Sequence, residues 1–281
     1  MASVYSDTVC TLGEGPLWHP VDKALYWFDI LQKRLYRRDD TGETQWQFDE
    51  HVSAAGWIDA GQLLIASETC LSQFDAATGE STFLHPLEAD NPVTRSNDGR
   101  TDPWGGFWIG TMGLNKESGA GAIYRYVDGA LHTLFDKITI SNAICFAQDR
   151  SCAYFTDTPT RKVMRVALND AGFPNATPEV FIDMTREELN PDGAVVDAQG
   201  KLWVAQWGAG RVACYGRDGE FERAIAVPGV HTTCPAFGGD GLNTLFVTSA
   251  AAELDPPGAS DGKTFSVPSG TTGQPEHQIR L

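Results

Sequence analysis

Six short apolar segments recur along this chain at intervals of roughly 40–50 residues, the length of one β-propeller blade. They are ALYWFDI (24–30), QLLIASET (62–69), GFWIGTM (106–112), CAYFTDT (152–158), KLWVAQW (201–207) and TLFVTSA (244–250). Each follows a turn such as HPVDK, DAG, DPWG or GGDGLN. Asp, Asn and Gly tolerate positive φ, so these turns close hairpins. Another short strand precedes each turn, and a third follows most of the six, as in RLYRRDD and KVMRVALN. No amphipathic helix of twelve residues interrupts the series; MTREELN (184–190) is at most a short turn of helix. The expected fold is all-β, a six-bladed β-propeller spanning residues 1–281 as a single domain. SVYSDTVCTL (3–12) is expected to close the ring beside the sixth unit. A β-sandwich is the other all-β arrangement, but it leaves six like units unexplained.

Composition agrees with many tight turns around a packed core: 29 Gly, 8 Trp and 42% hydrophobic residues in 281. The formal net charge of -16 argues against nucleic acid or an anionic membrane as partner. It suits a solvated acidic surface and is compatible with cation binding. The start, MASVYSDTVCTLGEGP, lacks a basic region followed by an apolar run, and nowhere do 18 apolar residues run together. A cytoplasmic location is expected. The six cysteines form no CxxC pair and are read there as reduced thiols. Propellers leave few free edges, so a monomer is expected.

The openings of the six units carry the chemistry. Aligned on their innermost strands they read GEGPLW, SAAGWI, SNDGRT, SNAICF, PDGAVV and TCPAFG. The second column holds Glu14, Ala54, Asn97, Asn142, Asp192 and Cys234, and the third is mostly small. Taken singly, Asp192 in PDG or Asn97 in NDG reads as a bend. Taken together, four distant openings place an oxygen-bearing side chain in one repeat column. Innermost strands line a propeller's channel and their starts gather at one end of it, so the column is expected to converge there. Crowded carboxylates repel and require a cation or protons to coexist. Two carboxylates with amide oxygens suit one divalent cation: Ca²⁺, Mg²⁺ or Mn²⁺, or a borderline metal such as Zn²⁺ or Fe²⁺ with several waters.

Five stretches in register resemble the gluconolactonase/regucalcin (senescence marker protein) family: GEGPLW, RSNDGRTDPWGGFWIGTM (95–112), ISNAICFAQD (140–149), NPDGAVVDAQGKLWVAQW (190–207) and CPAFGGDGLNTLFVTSA (234–250). That resemblance implies a six-bladed propeller, a divalent cation held by Glu14, Asn142 and Asp192, and hydrolysis of sugar-acid lactones or related esters. It also implies that Asn97 lies near the metal and that Arg95 contacts substrate. Two departures stand out. Asn115 occupies a position where relatives often carry a Glu that touches substrate or lid, and Ala143 follows Asn142 where Gly is usual. The tail GKTFSVPSGTTGQP is only loosely like the family's last blade.

The chemistry expected is metal-assisted ester hydrolysis, with a polarised carbonyl and an activated water. Asp192 is the candidate base that accepts the water's proton and returns it to the ring oxygen. Arg95, Asn97 and Asn115 are the candidate substrate contacts. Arg95 is otherwise a salt-bridge partner for Asp98 or Asp102. The GxSxG match GASDG (258–262) is followed by KTFSVPSG rather than a helical pattern, so it is no nucleophile elbow, and no HExxH pair is present, which disfavours serine-hydrolase and His-rich zinc chemistry. His231, in PGVHTTCP, is read as loop packing. A calcium-binding regulatory propeller and a protein-interaction propeller are the alternatives to a lactone hydrolase.

Overall fold

The computed structural model describes residues 2–281, and in them 24 strands form six four-stranded antiparallel sheets. The innermost strands are Gly13–His19, Val52–Asp59, Thr94–Thr101, Ser141–Phe146, Asn190–Val196 and His231–Gly238. The first five sheets run in simple chain order from the inside out. The sixth is composite: Ser3–Ser6 pairs with the outer side of Thr264–Pro268, so the chain's beginning completes the blade at its end. The loosely matching GKTFSVP stretch therefore supplies a regular third strand. This is the six-bladed propeller expected from the repeat. The only helical element among the described residues is the 3-10 turn Thr158–Thr160, and 184–190 form turns that lead into a strand. No helix among them is long and apolar enough to cross a membrane.

Packing explains why the second strands read as unbroken apolar runs rather than alternating ones. Ala24–Asp29 and Phe107–Gly113 are buried at every residue, because each is faced by a neighbouring blade on both sides. The outermost strands, such as Ser81–Pro86 and Phe221–Ala226, are largely exposed. The core is thus divided among interblade layers, with Trp27, Trp108 and Trp203 fully buried. Each such indole removes roughly 150–250 Å² from water, worth about 4–6 kcal/mol before entropy is charged.

The two ends of the channel differ. The last residues strap across the end where the innermost strands finish. Gly273 N donates to Leu242 O, Ala198 N to Thr272 O, Ile279 N to Trp57 O and Arg280 N to Gly105 O. Beneath the strap Arg100 pairs with Glu276, and a cavity of only about 30 Å³ remains. The opposite end, where the innermost strands start, is open.

Candidate active site

All but one of the innermost strands carry the same irregularity near their start: two residues stand opposite one of the partner strand. The unpaired residues fall between Glu14 and Leu17, Ser96 and Gly99, Asn142 and Cys145, Pro191 and Ala194, and Thr232 and Pro235. In the second blade Val52 and Ala54 flank a single unpaired residue. These bulges twist the strand and re-aim its side chains inward. They also answer the question raised by PDG and NDG. Neither is a bend; both lie inside strands.

The bulge also corrects the single-column alignment. Glu14 and Asn142 are the last paired residues before the bulge, and the next residue of each is left-handed: Gly15 at φ 55° and Ala143 at φ 58°. Asn97 and Asp192 lie within the bulge instead. Two backbone geometries thus deliver side chains to one place. Ala54 and Cys234, the column's other members, are sealed in the interior, with Cys234 packed against Gly193. The exchange of Gly for Ala at position 143 keeps the residue small, as expected, but puts a Cβ in a conformation that costs about 1–2 kcal/mol.

At Gly15 a Cβ would overlap the Ser53 carbonyl oxygen as well as adopting positive φ. Gly15→Ala is expected to lower stability by about 2–4 kcal/mol, from left-handed strain and overpacking together. Guanidinium unfolding midpoints of the two proteins measure this.

Glu14, Arg95, Asn97, Asn142 and Asp192 line one pocket of about 490 Å³ at the open end of the channel. All five are buried, none more than 6% exposed. A hydrogen-bonded chain runs from Arg95 through Asn97 and Asn142 to the backbone beside Asp192, across three blades. Arg95 Nη1 donates to Ser96 O and to Asn97 Oδ1, both at 2.8 Å. Asn97 Nδ2 donates to Ser141 O at 2.8 Å and to Asn142 Oδ1 at 2.9 Å. Asn142 Nδ2 donates to Thr158 Oγ1 at 3.0 Å, and Thr158 Oγ1 to Pro191 O, beside Asp192, at 2.9 Å. The chain fixes which way each amide faces. Both Nδ2 hydrogens of Asn97 are spent on protein, while Asn142 Oδ1 keeps a lone pair for the pocket.

The two carboxylates are less well provided for. Glu14 Oε2 accepts only the N–H of Gly15, at 3.1 Å, and Asp192 is eased only by the N–H of Gly193. The salt bridges of the expected partners lie elsewhere: buried Arg125 pairs with Asp102 at 2.6 Å, and Arg100 with Glu276. Arg95 forms no salt bridge with Asp98 or Asp102; Asp98 accepts Ile144 N at 2.7 Å. Burial, then the charge of Asp98, pushes Glu14 above the usual carboxylate range. Burial, then Glu14 and Asp98, pushes Asp192 well above it. Asp98, deeper in the channel, is raised to about 6 chiefly by burial. Burial lowers Arg95 to about 10.

Arg95 lies close enough to favour the charge of Glu14, but neither carboxylate has a salt bridge, and buried carboxylates so placed cost several kcal/mol each if ionised. The donor set fits a hard divalent cation: two carboxylates, one oriented amide oxygen, and room above for water and ligand. Among the described residues no three His, Cys, Asp or Glu side chains cluster as a metal centre, here or elsewhere, so a cation at this pocket would need the amide oxygen of Asn142 beside the two carboxylates.

Asn115 does not join this group. It is exposed, and its N and Nδ2 both donate to Glu117, at 3.0 Å. Its neighbours Leu114 and Lys116 line the pocket instead. His231 is buried one layer back, stacked on the pocket-lining Trp207 at 4.1 Å. Sequence reasoning missed His51, Thr158 and Trp207, all of which line the pocket, and the pair Lys116–Glu253 at its rim. His51 stands two residues ahead of the aligned SAAGWI, so extending the alignment by two positions would have reached it.

Residues 12–251 match the SMP-30/gluconolactonase/LRE-like region. The chain is 36% identical to the L-arabinolactonase of Azospirillum brasilense over 92% of its own length and 88% of that protein's. It is 34% identical to pentonolactonase XacC of Haloferax volcanii, over 98% of this chain and 97% of that one. In three dimensions it is similar to the crystal structure of a calcium-binding protein, regucalcin, from Agrobacterium tumefaciens. The TM-score is 0.97 at 40% identity, covering 100% of this chain and 98% of the other. The resemblance read from the five openings is therefore a relationship over almost the whole chain, and this protein belongs to the SMP-30/gluconolactonase family.

Proposed function

We propose that this chain, acting as one propeller domain, hydrolyses sugar-acid lactones with the help of one divalent cation held by Glu14, Asn142 and Asp192. The observation that carries this is the pair of buried carboxylates, neither in a salt bridge, on the wall of a sugar-sized pocket. The names of relatives alike over most of their length, a pentonolactonase and an L-arabinolactonase, support the same class of substrate.

A cation bound there would supply Lewis-acid polarisation of the ester carbonyl and a lowered pKa for water. Asp192 accepts the proton of the attacking water and returns it to the ring oxygen as the C–O bond breaks. Its carboxylate has no second protein partner to compete for that proton. Arg95 spends Nη1 on Ser96 and Asn97 and holds its remaining N–H groups toward the pocket, where they bind substrate oxygens. Asn97, with its amide engaged on both sides, positions Arg95 and Asn142 rather than contacting substrate. Apolar Met112, Leu114, Ile140 and Trp207 wall off water around the ring.

The experiment is a panel of pentono-, hexono- and aldarolactones with Ca²⁺, Mg²⁺, Mn²⁺, Zn²⁺ or Fe²⁺, read by acid release. At least one lactone should be opened at a rate that falls more than tenfold on chelation. Calcium binding without turnover of any lactone would instead favour a regulatory propeller, as the calcium-binding description of the Agrobacterium relative allows.

A further inference from the structure

The oxygen-bearing strand entrances come from the first, third, fourth and fifth blades; the second contributes His51 instead. This histidine immediately precedes the innermost strand Val52–Asp59, and Glu68 immediately follows its partner Gln62–Ser67. The pairing of the two strands carries on past their ends, with Glu68 N donating to His51 O at 2.8 Å. That register sets the two side chains face to face. His51 Nδ1 lies 2.7 Å from Glu68 Oε2, and the backbone N of His51 donates to the same oxygen at 3.4 Å. His51 and Glu68 are 18% and 25% exposed, so the pair is held at the pocket wall rather than free on the surface. Glu68 is also close enough to Arg95 to favour its charge.

A carboxylate can only accept, so Nδ1 carries the hydrogen. This leaves Nε2 as the free ring nitrogen, an acceptor in the neutral ring and a donor in the protonated one, with its direction fixed by the bond behind it. Among the described residues Nε2 has no hydrogen-bond partner, and it is not among the sealed, unpartnered polar atoms. His51 lines the pocket that holds Glu14, Arg95 and Asp192. We infer that His51, locked by Glu68, hydrogen-bonds through Nε2 to one ring hydroxyl of the bound lactone and so selects among sugar lactones. This rests on the lactonase reading above. The complementary group is a hydroxyl, which can donate to Nε2 of a neutral ring or accept from Nε2–H of a protonated one. Glu68 is a positioning residue: it acts on substrate only through the imidazole.

The test compares wild type, His51→Phe, His51→Gln, Glu68→Ala and the double variant His51→Phe/Glu68→Ala. Substrates are the preferred lactone and its singly deoxygenated analogues; binding of the matching ring lactam, which is not an ester, is measured by calorimetry. Loss of one directed hydrogen bond is worth about tenfold. His51→Phe is expected to raise KM and the lactam Kd about tenfold, with kcat changed less than threefold. His51→Gln, which returns a polar group near the place of Nε2, recovers part of the loss. Glu68→Ala raises KM while His51 is present and adds nothing in the double variant, as coupled residues do. On one deoxy analogue, wild type and His51→Phe become equal. Equal KM and lactam Kd within twofold for wild type and His51→Phe, with wild type active, overturns the role of His51 and leaves the lactonase reading standing. If wild type neither opens a lactone nor binds the lactam, both fall.

Discussion

Asp192→Asn is expected to lower kcat for lactone hydrolysis about 10³-fold while leaving the propeller folded. The side chains are nearly isosteric, and Asp192 is only 4% exposed, so no cavity opens. Two functions are lost together. An amide cannot take the proton of the attacking water, a contribution of typically 10²–10⁴-fold, and it replaces a charged oxygen at the proposed cation by a neutral one. Stability moves the other way. In the cation-free protein Asp192 carries the cost of burial and of the nearby Glu14 and Asp98 carboxylates. Relieving it should leave the cation-free midpoint of thermal unfolding no lower than that of wild type. Steady-state rates, with thermal melts of the cation-free proteins followed by near-ultraviolet circular dichroism, check both halves. A rate within tenfold of wild type removes Asp192 from the mechanism.

Glu14→Gln is expected to abolish stabilisation by divalent cations. A ligand that binds only the folded state at about 100 times its Kd adds about 2.7 kcal/mol, which in a chain of this size raises Tm by about 5 °C. Wild type should show that rise with its preferred cation, and Glu14→Gln less than about 1 °C at the same concentration. The reasoning is electrostatic. Glu14 and Asp192 repel in a dry site, and a divalent charge between them converts that repulsion into attraction. With one carboxylate neutralised the cation loses roughly half of the formal charge that holds it. Differential scanning calorimetry with and without chelator measures the effect. Equal cation-induced shifts in the two proteins would place the bound ion elsewhere.

How much of this was readable beforehand depends on what each residue's role is written in. The propeller was legible because its information is local and repeated: the apolar runs 24–30, 62–69, 106–112, 152–158, 201–207 and 244–250 are strands buried on both faces, and that burial forces the composition. The meeting of Glu14, Asn97, Asn142 and Asp192 was legible because each is tied to the start of an innermost strand. Their common column was not a common backbone position, since a bulge moves the register by one residue without disturbing the apolar pattern on either side. Asn115 was misplaced for a similar reason. A loop has no periodicity to say which of three successive side chains turns inward, and here Leu114 and Lys116 do. His51 and Glu68 were invisible as a pair because 17 residues separate them, and only strand register brings them together.

One cation is expected among Glu14, Asn142 and Asp192, and anomalous diffraction from crystals soaked in Mn²⁺ would locate it. A single strong peak is expected within about 2.0–2.6 Å of an oxygen of each of the three side chains, absent from crystals of Glu14→Gln. No peak at this end of the channel, in a protein that still opens lactones in chelator, would contradict this placement.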